Sequence, residues 1–361
     1  MKERVVVAMS GGVDSSVSAA LLVEQGYEVI GLMMRLWSEP GMASGRDNRC
    51  CTRDQMIDAH LVAKKLHIPF EVVDVRDTFK KAIVDFFVQG YADGITPNPC
   101  LACNREIRFT ALLNEALSRG ASFLATGHYA RVTRSVDGAY ELRKGADPRK
   151  DQSYVLSVLN QHQLSHAMFP VGVYEKPQVR ALAEKFGLRV ASKSDSQDLC
   201  FVADGNYRRF MREAAPQAFT SGLIMTRQGA ILGEHDGLAN YTIGQRKGLG
   251  VTAAEPLYVI EKNAESNALI VGVRAELGAT SFGAARMNWI SGAPPSGPIR
   301  AEVKIRYKAA PAPATVTPEG PYRVDIRLDE PAPDITPGQG AVLYEGDRVL
   351  GCGIITARSD N

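Results

Sequence analysis

Up to about residue 200, short apolar runs alternate with stretches whose apolar positions recur at helical spacing. Val5-Val6-Val7 is the first run; Glu28-Val-Ile-Gly-Leu-Met-Met34, Phe70-Glu-Val-Val-Asp-Val75 and Phe123-Leu-Ala-Thr126 follow. Between them, Val17, Ala20 and Leu21 share one helix face, as do Ile57, Leu61 and Leu66 behind a capping Asp54. Helices are also predicted through Ile83, Phe86 and Phe87, and from about Glu106 to Ser118, behind a loop Thr96-Pro-Asn-Pro-Cys100. Strand–helix alternation of this kind predicts a doubly wound α/β parallel sheet with right-handed crossovers. Such sheets bind ligands beyond the carboxyl ends of their strands. A later helix starts at Pro177, carries Val179, Leu182, Ala183 and Phe186, and stops at Gly187.

Beyond about Ala203 the alternation ceases. Short segments with glycine-rich turns follow, among them Gly244-Gln-Arg-Lys-Gly-Leu-Gly250, and Gly292-Ala-Pro-Pro-Ser-Gly-Pro298 reads as a late boundary. From Ile299 the period becomes two. Ile299, Ala301, Val303, Ile305 and Tyr307 alternate with Arg300, Glu302, Lys304, Arg306 and Lys308, which places the two sets on opposite faces of a strand. Tyr322 to Leu328 repeats the alternation, and Ala341 to Ile355 reads as a hairpin turning at Glu345-Gly346-Asp347. The expected architecture is therefore an α/β domain over residues 1–202, a small central domain over 203–273, and a C-terminal antiparallel β-barrel over 274–361.

Composition narrows the class without deciding it. The chain has 361 residues, long enough for two or three domains, and no apolar run of membrane-spanning length. The first strand begins by Arg4, leaving no room for a targeting peptide, so a cytoplasmic location is expected. Net charge is only +2, so any case for nucleic acid must rest on local clusters. Four of the five outward residues of the Ile299–Lys308 strand are basic, which suits either a phosphate backbone or an ordinary solvated face.

The chemistry starts at Ala8-Met-Ser-Gly-Gly-Val-Asp-Ser-Ser16, between the first strand and the first helix. Gly11 and Gly12 let the backbone turn tightly and approach an anion. The hydroxyls of Ser10, Ser15 and Ser16 join the free amides of a helix N-terminus. No lysine stands at the spacing of a Walker A loop. The bland alternative is a serine-rich cap on a Rossmann-like helix. S-G-G-x-D-S resembles the PP-loop of the N-type ATP pyrophosphatases, which leave AMP on a substrate oxygen. Asp14, an acid in such a loop, suits either a Mg²⁺ site or an orienting role.

Six cysteines occur: Cys50, Cys51, Cys100, Cys103, Cys200 and Cys352. Cys100-x-x-Cys103 is compatible with a redox pair, half a zinc site or two buried thiols. Zinc would need further ligands, and no second C-x-x-C exists. Cys50 and Cys51 read as packing thiols or as sulfur-delivery residues, and Cys352 as structural. His128, at a strand end, suits either a ligand contact or local satisfaction.

Taken in order, Ser10-Gly-Gly-Val-Asp-Ser15, Asn98-Pro-Cys-Leu-Ala-Cys-Asn104, Ala125-Thr-Gly-His-Tyr129, Lys150-Asp-Gln-Ser-Tyr154, Phe169-Pro-Val-Gly172, Asp195-Ser-Gln-Asp-Leu-Cys-Phe201 and Gly244-Gln-Arg-Lys-Gly-Leu-Gly250 closely resemble the bacterial tRNA-specific 2-thiouridylase family, the MnmA type. The resemblance covers essentially the whole chain. It implies replacement of the 2-oxygen of the wobble uridine by sulfur in tRNAs for Lys, Glu and Gln. It implies ATP on Ala8, Met9, Ser10, Gly11, Gly12, Val13, Asp14 and Ser15, with Met34 and Gly127 beside the adenosine. The cysteine matching Cys200 would carry a persulfide from a cysteine desulfurase or a sulfur-carrier protein, and Cys103 would be its partner thiol. Contacts to tRNA would fall on Asn98, Pro99, Cys100, His128, Lys150, Asp151, Gln152, Arg306, Tyr307 and Gln339.

One departure matters. The family's best-known members have Asp where this chain has Cys100. That substitution places the acid–base role of the position in doubt and leaves Cys100, Cys103 and Cys200 resembling the three-thiolate [4Fe–4S] site of related tRNA thiolases. A persulfide relay and an iron–sulfur route are therefore both expected alternatives. Two rivals of other kinds are a PP-loop small-molecule synthetase, which needs no cysteine pair, and a non-catalytic RNA-binding protein with structural ATP.

Overall fold

The computed structural model describes residues 2–39, 52–193 and 199–358. Cys50, Cys51, most of the expected loop Trp37 to Asn48, and residues 194–198 lie outside the described residues.

The expected α/β sheet is present. Strands β1 (Arg4–Ala8), β2 (Glu28–Arg35), β3 (Phe70–Asp74), β4 (Phe123–Ala125) and a later two-residue strand Ala167–Met168 form a parallel sheet. Their order is β3-β2-β1-β4 followed by the Ala167–Met168 strand. β1 reads as unbroken apolar residues because both its faces are covered: Val6 joins one core cluster, Val5 and Val7 the other. The order reverses at β1, with β2 on one side and β4 on the other, so the crevice at the carboxyl end of β1 is where a ligand fits. Helix α1 (Val13–Glu24) starts there.

Two helix starts differ from the sequence reading. Thr52, not Asp54, caps helix α2 (Arg53–Lys65), in a reciprocal capping box with Gln55. The two-proline segment is not all loop: Asn98 caps a helical turn Pro99–Ala102 that runs into Cys103–Leu112 and Leu113–Ser118. Asn98 Oδ1 accepts from the amides of Cys100 and Leu101, and Pro99 takes the first helical position, where a missing N–H costs nothing. Both cysteines of the C-x-x-C pair are thus helical.

After β4 comes a hairpin with no clear signal in the sequence, β5 (Ala130–Arg134) and β6 (Tyr140–Lys144). The central region then forms a four-stranded sheet from Gly222–Met225, Ile231–His235, Tyr258–Asn263 and Ala268–Gly272, over a core that includes Ile224, Val259, Leu269 and Val271.

The C-terminal region is a closed barrel of six antiparallel strands. They are Ala279–Trp289, Ile299–Lys304, Ala312–Pro318, Arg323–Ala332, Gly340–Glu345 and Arg348–Arg358, and the first closes on the last. Closure pairs the first and last barrel strands, and the hairpin β5–β6 extends the same sheet through the Arg143–Arg348 pairing. Val303, Ala314, Val316, Ile326, Leu343 and Ile355 fill the barrel, as the two-residue period requires. The hairpin at 345–347 is found where expected, Gly346 taking φ +61°.

Two expectations here are corrected. The segment Gly292 to Pro298 joins two barrel strands and marks no boundary. The first basic strand stops at Lys304, and Arg306 to Lys308 form a bend and turn, so Tyr307 lies 38% exposed instead of inside. A strand pattern can persist in sequence past the point where the ladder ends, because the last residues have no partner to pair with.

What fixes the barrel against the α/β domain is apolar burial. Val342, Tyr344, Val349 and Cys352 of the barrel share one cluster with Leu101, Phe109, Leu142 and Tyr154. Each such side chain contributes roughly 1.5–3 kcal/mol on burial. The pairs Arg131–Asp347 and Arg143–Asp347 across the same junction are part-exposed and worth at most about 1 kcal/mol each. They set the register of the barrel hairpin against β5–β6; they do not hold it there.

Candidate functional site

The glycine turn between β1 and α1 is built for close approach. Gly11 has φ +70°, and a Cβ there would lie 2.2 Å from the Gln55 carbonyl oxygen at the start of α2. Only glycine fits both conditions. Ser10 donates its amide to Ser15 Oγ at 3.2 Å, and the two hydroxyls are 3.3 Å apart. Ser15 and Ser16 both hydrogen-bond the Gly12 carbonyl oxygen, at 3.3 and 2.8 Å. Ala8 and the buried Met9 and Val13 anchor the two ends of the loop. Gly127, at the end of β4, packs directly on it: a Cβ would meet the Ser15 amide nitrogen at 2.6 Å. Met34 of β2 packs against the apolar clusters next to this crevice.

Asp14 is an anchoring residue in this arrangement. Its Oδ1 accepts from Tyr129 Oη at 2.7 Å and Lys176 Nζ at 2.8 Å, and its Oδ2 from Lys176 Nζ at 2.9 Å. Both carboxylate oxygens accept hydrogen bonds from within the fold, which fits the loop-orienting alternative. The tie extends further. Gln152 Oε1 accepts from the Tyr129 amide at 2.9 Å, and Asp147 accepts from the Lys176 amide at 3.1 Å. On the other side of the loop, Lys193 donates to the Gly11 carbonyl oxygen and to Asp58, each at 2.9 Å.

Lys176, Lys193 and Tyr129 were not singled out from the sequence as parts of this loop. Lys176 precedes the helix-starting Pro177, and nothing local distinguishes it from a solvated lysine. Tyr129 ends the Ala125–Tyr129 motif and was within reach.

Cys103 is buried in an apolar cluster with Phe79, Phe87, Ile107, Phe201 and Phe210, and Cys200 packs against that same cluster. Leu199, Trp37 and Met34 pack on it too. Phe201 sits between Phe87 and Phe210, ring centroids 5.2 and 5.7 Å away. Arg209 ties the surroundings together: it pairs with Asp204, just past Cys200, and with Glu39, just past Trp37. The structure thus places both cysteines, 97 positions apart in the chain, on one apolar cluster. Among the described residues, no group of three His, Cys, Asp or Glu is placed to hold a metal ion. Cys100, Cys103 and Cys200 do not form such a group here.

The residues expected to meet tRNA form a second set on the barrel side. Asn98 Nδ2 reaches Gln339 Oε1 at 3.3 Å, and Gln339 Nε2 donates to the Thr96 carbonyl oxygen at 2.8 Å. Tyr307 faces the Tyr154 ring at 6.0 Å; burial, then Asp151 and Cys100, push its hydroxyl above its usual pKa. Asp151 accepts from the amides of Gly145 and Ser153 and from the Ser153 hydroxyl. Pro99 is buried, Cys100 is exposed, and Lys150 is part-exposed just before Asp151.

Two members of the expected set have inward roles. His128 is buried beside the Phe109 and Phe169 rings, its Nδ1 2.7 Å from Thr126 Oγ1. Burial, helped by the nearby Arg108 charge, lowers its pKa to about 3, so the ring is neutral at pH 7. The guanidinium of Arg306 is taken up by Thr336 Oγ1 at 2.6 Å, the Ile243 carbonyl oxygen at 3.0 Å and Asp334 at 3.3 Å. Arg300 pairs with Asp329. The basic strand face is therefore largely bound within the fold. Cys352, buried and pushed up to about 11, is a packing thiol.

Family models match three successive stretches of this chain. Residues 3–204 match the tRNA methyl transferase HUP domain, residues 208–273 the tRNA methyl transferase PRC-barrel domain, and residues 279–355 the aminomethyltransferase beta-barrel domain. Among curated proteins, the tRNA-specific 2-thiouridylase MnmA of Magnetococcus marinus is 48% identical over 98% of this chain and 99% of its own length. That of Geotalea uraniireducens is 47% identical over 98% of this chain and 95% of its own. The Geobacter metallireducens protein of the same name is 46% identical, covering 99% and 97%.

Proposed function

The chain belongs to the tRNA-specific 2-thiouridylase family, and from that membership we propose that it is a tRNA-modifying enzyme that uses ATP to exchange the 2-oxygen of the wobble uridine for sulfur. The substrate tRNAs are those for Lys, Glu and Gln, as the family resemblance implies. In class it is a sulfurtransferase, with ATP held by the Ala8–Ser15 loop. The division into 1–202, 203–273 and 274–361 is proposed with it.

The proposed reaction has two halves. The uridine O2 attacks the α-phosphorus of ATP, the bond to pyrophosphate breaks, and the base becomes an adenylated intermediate. Activation is needed because a carbonyl oxygen leaves poorly and AMP leaves well. The amides and hydroxyls of the Ser10–Ser16 turn suit the phosphates that separate in this step. Asp14, locked by Lys176 and Tyr129, orients that turn. No step is assigned to Mg²⁺ or to an iron–sulfur cluster.

In the second half, Cys200 carries a persulfide supplied by a cysteine desulfurase or a sulfur carrier. The Cys103 thiolate attacks the Cys200 sulfur. A Cys103–Cys200 disulfide forms, the terminal sulfur moves to C2, and AMP departs with the original oxygen. An external dithiol then returns the disulfide to two thiols. The observation that carries this reading is the packing of Cys200 and Met34 on the one cluster that contains Cys103. Around the base, the Asn98–Gln339 contact and the Cys100, Asp151 and Tyr307 group are proposed to receive the anticodon.

The test is thiolation of unmodified tRNA with ATP, cysteine and a cysteine desulfurase. Cys103→Ser and Cys200→Ser are each expected to abolish thiolation while tRNA-dependent pyrophosphate release persists. Wild-type thiolation by both variants would remove the cysteine mechanism. Pyrophosphate release that ignores tRNA would instead favour a small-molecule synthetase.

A further inference from the structure

On the side of the Cys103–Leu112 helix away from Cys103 lies an open cleft of about 670 Å³ between that helix and the barrel. Its lining includes Arg105 and Glu106 from the helix, Asn160 from the N-cap of the next helical turn, and Arg286, Tyr322 and Arg323 from two paired barrel strands. None of these residues belongs to the site described above.

Three independent features converge there. Arg286 has φ +54°, a left-handed conformation that is unfavourable for a residue with a side chain. It sits where the register of the first barrel strand against the last one shifts between Ala285 and Asn288, and such bulges re-aim a side chain. Arg323 pairs with Ala285, the neighbour of Arg286, across the ladder, and both exposed arginines line the same cleft. Arg105 is already compensated by Glu106 at 2.7 Å, whereas neither Arg286 nor Arg323 has an ion pair among the described residues. Tyr322, whose carbonyl oxygen accepts from the Met287 amide, holds its ring 68% exposed at the rim. Adjacent unpaired arginines beside an exposed aromatic are what a nucleic-acid backbone with a stackable base requires.

We propose that this cleft is a phosphodiester-binding site for the tRNA substrate, separate from the contacts around the target base. The inference rests on the tRNA reading given above. Cys103 and Arg105 are on opposite sides of one helix, so the cleft lies about one helix diameter, ~10–12 Å, from the sulfur site. RNA that presents its base on the Cys103 side can therefore lay a neighbouring stretch of backbone against Arg286 and Arg323. Arginine donates in a fork that matches phosphate oxygens, and contacts of this kind position a substrate without reading its sequence.

The experiment measures the affinity of unmodified tRNA as a function of salt for the wild type and for Arg286→Ala/Arg323→Ala. Loss of two phosphate contacts should lower the slope of log K against log salt by roughly 1.5–2 and weaken binding about tenfold near 0.1 M salt. Arg286→Lys/Arg323→Lys should restore most of the slope. Arg286→Gly removes the charge and also relieves the left-handed backbone, so weaker binding in a variant that melts no lower excludes a folding defect. An unchanged slope in the double variant overturns the proposal. An unchanged slope with slower sulfur loading from the donor protein also overturns it and assigns the cleft to that protein. If the wild type itself shows no salt-dependent tRNA binding, it is the parent reading that fails.

Discussion

Asp14 shows how a residue in a phosphate loop acquires its role from partners far along the chain. Lys176 and Tyr129 hold its carboxylate from 162 and 115 positions away. Lys176→Met should therefore leave the carboxylate in the turn without its cation, held by Tyr129 alone. We expect ATP affinity and pyrophosphate release to fall at least tenfold, with tRNA binding retained, checked by nucleotide titration and a pyrophosphate assay. His128 gives a pH prediction. Its folded-state pKa, about 3, is below the unfolded value near 6.5, so the unfolded chain binds the proton first as pH falls. The stability from its neutral burial is complete above about pH 6.5 and is lost towards pH 3, at roughly 1.4 kcal/mol per pH unit. Its ring resonances should not titrate in native protein between pH 7 and 5; a midpoint near 6.5 would refute the buried neutral state.

At the scale of elements, the turn between β1 and α1 and the start of α2 are pressed together at Gly11. Gly11→Ala asks for a left-handed alanine and for the α2 backbone to retreat. The expected result is loss of ATP binding together with several degrees of melting temperature, measured by calorimetry with and without ATP. The cap of α2 offers a milder contrast. Thr52→Ala removes one side of the capping box and should cost about 1 kcal/mol in denaturant unfolding. The alternating and unbroken apolar patterns gave β1 to β4 and the barrel hairpin, because burial on one or two faces leaves a local signature. The hairpin β5–β6 left none. Its Thr133, Arg143 and Glu141 satisfy one another, so its exposed face carries mixed polar residues like any loop.

For the whole molecule, the placement of the barrel matters because Gly338 and Gln339 touch the Thr96–Asn98 segment that starts the cysteine helix. Gly338 has φ +93°, and a Cβ there would lie 2.7 Å from the Thr96 carbonyl oxygen. Gly338→Ala should displace the barrel from that segment, and a misplacement of about 1 Å can cost on the order of 10²-fold in rate. Thiolation should fall on that scale while ATP binding stays at the wild-type level; equal losses in both would show general unfolding instead. The apolar cluster around Cys103 crosses a junction of the same kind, with Phe210 and Met211 of the following region closing over Phe201.

By itself the sequence determined the glycine turn, the parallel sheet and the barrel, and it singled out Cys103 and Cys200. Each of these is written in neighbouring residues: a glycine at a left-handed turn, a period of two, an unbroken apolar run, or a run of motifs in order. The tertiary structure alone decided that Asp14 is paired, that Arg306 faces inward, that His128 is a core residue and that Arg286 and Arg323 stand together over an open cleft. Those facts depend on contacts between residues far apart in the chain, and a side chain's charge or exposure is set by what the fold brings against it, which local spacing does not encode.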